Sequence, residues 1–123
     1  MYYTTFEQSK QLKELGLPFE TADMSFGRNA HTPTGYEHYP FSIRGNNNFF
    51  PCWSCGALLN ILPVTIDDTD VKAELLINKR EYQDGSQKRL YIIEYDGVIT
   101  YEANELIYCL YEMVTWLLEN KRI

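Results

Sequence analysis

The sequence predicts an α+β fold: a three-stranded antiparallel meander packed against a long C-terminal helix. Segments at about 72–79, 89–95 and 98–102 carry the two-residue alternation of strands. Asp84-Gly85-Ser86 and Asp96-Gly97 separate them with hairpin chemistry, and Asp-Gly favours a type I′ turn. From about 104 to 120, Leu106, Ile107, Leu110, Met113, Val114, Leu117 and Leu118 recur at helical spacing. A chain of 123 residues fits one domain, 1–123, and suffices to bury a core without staples.

The remaining elements follow in chain order. Thr4 and Glu7 have capping-box spacing and open a helix over 4–15, with Phe6, Leu12 and Leu15 as its apolar stripe. Gly16, Leu17 and Pro18 stop it: a glycine just past the end, an apolar residue, then a proline. Residues 19–51 read as a long irregular segment punctuated by Gly27, Pro33, Gly35, Pro40 and Gly45, with a short strand near 41–44 and a loop tip at Asn46-Asn47-Asn48. It holds Phe26, Tyr36, Tyr39, Phe41, Phe49 and Phe50, so it is expected to pack onto the domain. Ser54 caps a short helix over 54–62 that Pro63 ends. Ile66 to Asp70 reads as a polar connection. Tyr108, Cys109, Tyr111 and Trp116 widen the apolar arc of the last helix beyond one face. Its second side therefore needs a cover, either segment 19–51 or another subunit.

Composition narrows the function classes. Eleven basic against seventeen acidic residues give a net charge of −6 and a pI near 4.8. That balance opposes direct nucleic-acid binding and adhesion to anionic membranes. No apolar run reaches the ~20 residues of a membrane span, and the first residues lack the basic and apolar regions of a secretory signal. Three cysteines, an odd number, fit a reducing compartment. A cytoplasmic location is expected.

Several stretches together carry a resemblance. They are Thr5-Phe6-Glu7-Gln8-Ser9-Lys10-Gln11-Leu12, Thr21-Ala22-Asp23-Met24, the phrase from Pro51 to Pro63 around Trp53-Ser54 and Leu58-Leu59, and Tyr111-Glu112-Met113-Val114-Thr115-Trp116-Leu117-Leu118-Glu119-Asn120. In these the chain resembles an uncharacterised family of small proteins from gut Bacteroides-type bacteria, often associated with prophages and other mobile elements. The resemblance implies such an origin and brings no activity or site residue with it. Cys52 and Cys55 lie outside its pattern.

Candidate chemistry centres on Cys52-Trp53-Ser54-Cys55. A C-x-x-C motif at a helix start suits thiol–disulfide exchange, because the helix dipole stabilises a thiolate. Zinc is the other chemistry, with His31, His38 or Cys109 completing the ligands. Against both, no parallel crossover precedes the motif and no second paired motif follows, so two structural thiols are the simpler reading. His31 and His38 are separated by Pro33 and Gly35 and share no helical face. Ser54 has Gly56 after it but Cys52 where a nucleophile elbow needs glycine. Asp67, Asp68 and Asp70 lack the spacing of a calcium loop. Lys79, Arg80, Lys88 and Arg89 gather at a hairpin end, where contact with a phosphate backbone is one reading and keeping the strand ends soluble is the simpler one.

Function therefore reads first as a small non-catalytic binding or adaptor protein of a prophage or mobile element. Its expected surface is aromatic: Tyr36, Tyr39, Phe49, Phe50 and Trp53. The expected partner is a protein, a second copy of the chain included, and no cofactor is expected. The alternatives are a thiol-redox or zinc protein centred on Cys52 and Cys55, and an acidic mimic of DNA.

Overall fold

A computed structural model of the chain describes residues 1–42, 48–86 and 88–123. Among them run three α-helices, α1 (Phe6–Glu14), α2 (Cys55–Ile61) and α3 (Leu106–Glu119), and one 3₁₀ turn (Phe19–Thr21). The six strands are β1 (Met24–Phe26), β2 (Phe50–Cys52), β3 (Thr65–Asp68), β4 (Val71–Glu81), β5 (Arg89–Tyr95) and β6 (Ile99–Ala103). β3 to β6 form one antiparallel sheet in chain order, and β1 pairs with β2 in a separate two-stranded sheet. The class is α+β, as the sequence predicts, but the meander has four strands where three are expected.

The fourth strand is the run read as a polar connection. Thr65 and Asp67 face outward, Ile66 is buried against the main core, and Asp67 sits opposite Lys72. One buried isoleucine, with opposite charges at facing positions 67 and 72, suffices for a short edge strand. Three nearby aspartates hide that signal in the sequence. The β5–β6 turn also differs from expectation. Gly97 alone has positive φ, 78°, so the turn follows the type II pattern and not type I′, which needs both central residues left-handed.

The helix ends follow local chemistry. The capping box of α1 uses Thr5 and Gln8, one residue later than the Thr4–Glu7 reading: Gln8 N–H donates to Thr5 Oγ1 at 3.1 Å and Thr5 N–H donates to Gln8 Oε1 at 2.9 Å. Gly16 then takes φ 95°, with Gly16 N–H donating to the Lys13 carbonyl and Leu17 N–H to the Leu12 carbonyl, while Leu12 and Leu17 are buried in the same core. That double bond pattern is a Schellman stop.

Segment 19–51 is not simply irregular. β1 pairs with β2 on one side, and on the other Ser25 and Phe41 exchange both backbone hydrogen bonds, at 3.0 and 2.9 Å. Residues 27–37 make a small excursion closed by Glu37 N–H donating to the Gly27 carbonyl at 2.7 Å. Glycine at position 27 leaves room for Phe41, whose ring a β-carbon there would meet at 3.0 Å. Met24, Phe26, Phe50 and Cys52 form a second small core, against which Tyr3, Phe6 and Tyr36 pack. Of the expected strand near 41–44, Phe41 bridges to Ser25, while positions 43 and 44 lie outside the described residues, as do Asn46 and Asn47 of the expected loop tip.

The main core joins both layers. α3 lies against β5 and β6 on one side and α2 on the other, burying Ile107, Leu110, Met113, Val114 and Leu117. α2 packs on α3 as a second cover, with Leu17 and, from segment 19–51, Ala22 in the same core. Among the described residues no helix is long and apolar enough to cross a membrane.

β4 is covered along only half its length on one edge. Leu75 N–H donates to the Val64 carbonyl at 2.9 Å, toward β3, whereas the Glu74 carbonyl accepts from Asp96 N–H at 3.1 Å, toward β5. Antiparallel alternation then points the backbone groups of Ile77, Lys79 and Glu81 away from β5. Beyond Leu75 no strand pairs with that edge among the described residues. Lys79 and Glu81 put charges along it, one of the ways that proteins keep an open edge from templating other chains.

Candidate functional site

The five aromatic residues expected at a surface do not share one. Trp53 is 0 % exposed and lies in the main core, its indole N–H donating to Thr21 Oγ1 at 2.8 Å. Phe50 is buried in the second core, its ring 4.6 Å from Phe6 and 5.2 Å from Tyr36. Tyr36 is half-buried on that cluster, and Phe49 is half-buried edge-on to Phe41 at 5.4 Å. Tyr39 alone stands out, 70 % exposed, with the His38 ring 4.6 Å away. An interface of all five is therefore corrected: Phe50 and Trp53 are buried in the two cores, where their large apolar area is covered by neighbouring side chains.

The cysteines and histidines do not converge. Cys52 is buried at the end of β2, and its thiol donates to the Thr4 carbonyl at 3.3 Å. Burial pushes that thiol up to about 11. Cys55, the first residue of α2, is half-buried and is also raised, mainly by burial. Exchange chemistry needs the opposite shift, a thiol held toward its thiolate. His31 is exposed on the 27–37 excursion and His38 is exposed just past it. Among the described residues no three His, Cys, Asp or Glu side chains gather where they could hold one metal ion. Cys109 is buried on α3, donating to the Tyr91 carbonyl at 3.1 Å, so it takes no part in such a cluster.

What does converge is a set of small polar residues around Trp53. Thr4 is fully buried: Trp53 N–H donates to its Oγ1 at 3.1 Å, its own N–H donates to the Trp53 carbonyl at 2.9 Å, and Ser9 Oγ lies 2.7 Å from its hydroxyl. Asp23 holds the start of α2, accepting Ser54 N–H at 2.9 Å and the Ser54 hydroxyl with its other oxygen. Ser54 Oγ in turn accepts from Ala57 N–H at 3.2 Å, which confirms its capping role and leaves no free nucleophile. Sequence reasoning missed Thr4, Ser9 and Asp23. The signal for Thr4 was the double threonine, in which one residue caps α1 and the other is free to be buried.

Two concavities flank this junction. One, of about 330 Å³, is an apolar groove walled by Tyr3, Phe6, Phe26 and Tyr39, with Glu7 and Glu37 also lining it. Asn29 steadies Glu37, donating to its carboxylate at 3.2 Å. The other, of about 820 Å³, is a cleft between the α1–β1 connection, α2 and the end of α3. No family model, no curated protein and no solved structure matches the chain.

Proposed function

We propose that the chain is a small non-catalytic binding protein, cytoplasmic and carried by a prophage or other mobile element, that holds a protein partner in the groove at Tyr39. The observation behind this reading is a tyrosine 70 % exposed at the wall of an apolar groove. Large rings left in water beside apolar concavities are what interface anchors look like. Glu7 and Glu37 make the complementary partner feature an apolar side chain next to a lysine or arginine. The mobile-element origin rests on the sequence resemblance. The thiol reading loses support because burial holds both C-x-x-C thiols in their neutral form.

Peptide display against the immobilised protein tests the reading. Enriched peptides should share an aromatic or long aliphatic residue beside a basic one, and Tyr39→Ser should lose the enrichment. Because Tyr39 contributes little to the core, that variant should keep the wild-type unfolding midpoint. Equal enrichment on Tyr39→Ser would refute the groove as the binding site.

A further inference from the structure

We propose that the larger cleft is a second, separate site that binds a small amphipathic amine: an apolar body ending in a protonated nitrogen. Its volume, about 820 Å³, lies in the range of small-molecule sites, roughly 300–1,000 Å³, and exceeds that of the aromatic groove. The apolar wall comes from Pro18, Ile61 and Leu118, backed by Leu17, Ala22 and Ala57, which belong to the buried core and hold fixed positions. An apolar body gains by covering that wall.

The polar lining sets the sign of the ligand's charge. Glu20 and Asp23 line the cleft, and no lysine, arginine or histidine does among the described residues. Asp23 is held in place by two hydrogen bonds from Ser54, so its carboxylate is oriented before any ligand arrives. Asn60, one α2 turn beyond Gly56, adds an exposed amide to the same wall. Two carboxylates without a cation repel an anionic ligand and leave an ammonium group as the complementary head. The Thr21 hydroxyl already donates to the Pro18 carbonyl at 2.6 Å and accepts from Trp53, so it holds the wall in place.

Gly56 provides a clean block. It lines the cleft, and a β-carbon added there would meet only Ser54 Oγ, at 3.7 Å, an ordinary contact. Position 56 therefore accepts a β-carbon, Gly56→Leu adds a branched side chain to the lining of the cleft, and as a helix residue leucine is the better former.

The test is an amide NMR titration of the full chain with three matched probes: phenethylamine, 2-phenylethanol and 3-phenylpropionate. Phenethylamine should shift the Thr21, Gly56 and Asn60 amides saturably, with a dissociation constant on the order of a millimolar, as suits so small a ligand. The alcohol should bind about threefold or more weakly and the carboxylate weaker still. Glu20→Gln should weaken the amine about three- to fivefold, the scale of one exposed ion pair, and Gly56→Leu should abolish the shifts. Tyr39→Ser should titrate like the wild type, because the two sites are distinct. Absence of saturable shifts at those amides, equal affinity for all three probes, or unchanged binding by Gly56→Leu would each overturn the proposal.

Discussion

Replacing Thr4 with valine keeps the side-chain shape and deletes one hydroxyl from the junction that joins the N-terminal segment to Trp53. In the folded protein that oxygen accepts the Trp53 amide at 3.1 Å, meets Ser9 Oγ at 2.7 Å and lies 3.6 Å from Cys52 Sγ. All of these groups are buried, and Ser9 has a carbonyl within reach, that of Thr5 one helical turn back, toward which its hydroxyl can turn. The Trp53 N–H has no such recourse. An orphaned buried donor costs about 1–3 kcal/mol, and the strained or partly rescued serine adds about 1 kcal/mol, so Thr4→Val should destabilise by about 2–4 kcal/mol. Against a typical total of about 5–15 kcal/mol, that is a large share. Ser9→Ala alone should cost about 1 kcal/mol, and less than that in the Thr4→Val background, because both partners of the bond are then gone. Urea unfolding followed by tryptophan fluorescence reads all four proteins, since Trp53 sits in the core. A Thr4→Val midpoint corresponding to less than about 0.5 kcal/mol, or an equal Ser9→Ala effect in both backgrounds, would refute the network.

Four further outcomes follow from the geometry. Lys121 holds φ 55° just past α3, with its N–H and that of Arg122 bonded back to the Leu118 and Leu117 carbonyls. Lys121→Gly should therefore stabilise by about 1 kcal/mol and Gly16→Ala, at φ 95°, destabilise by about as much, both read from thermal or urea unfolding. Hydrogen exchange should alternate along the open edge of β4, fast at Ile77, Lys79 and Glu81 and slower at Leu76, Asn78 and Arg80; uniform protection would mean that another strand covers the edge. Burial raises Cys52 and Cys109 from about 9.0 to about 11, so unfolding releases protons between those values. Their contribution to stability should be complete below pH 9 and fall as pH rises toward 11. Cys55, less buried, should be the first thiol to react with a disulfide reagent under native conditions, and prior reaction of Cys52 would contradict its placement.

Local features were legible from the chain because their causes lie within a few residues. The glycine stop of α1, the Ser54 cap of α2, the pairing of β4, β5 and β6 and the apolar period of α3 all appear close to where they are expected. Where an element was misread, a nearby signal misled: Thr4 and Thr5 both fit a capping box, and three aspartates obscured the single buried Ile66. The candidate site was far less legible. A count of aromatic residues does not say which rings are covered, and segment 19–51 offers Phe50 and Tyr39 on equal terms.

The sequence by itself determined the α+β class and the order of its principal elements, because turns, caps and hydrophobic periods act between neighbours along the chain. Only the tertiary structure decided that Trp53 is a core residue held by Thr4, that Asp23 secures α2, and that Gly56 opens onto a cleft. Those relations join residues some 30 to 50 positions apart, such as Thr4 with Trp53 and Asp23 with Ser54. Burial and hydrogen-bond partners at that separation depend on how whole elements pack, a property that no local pattern encodes.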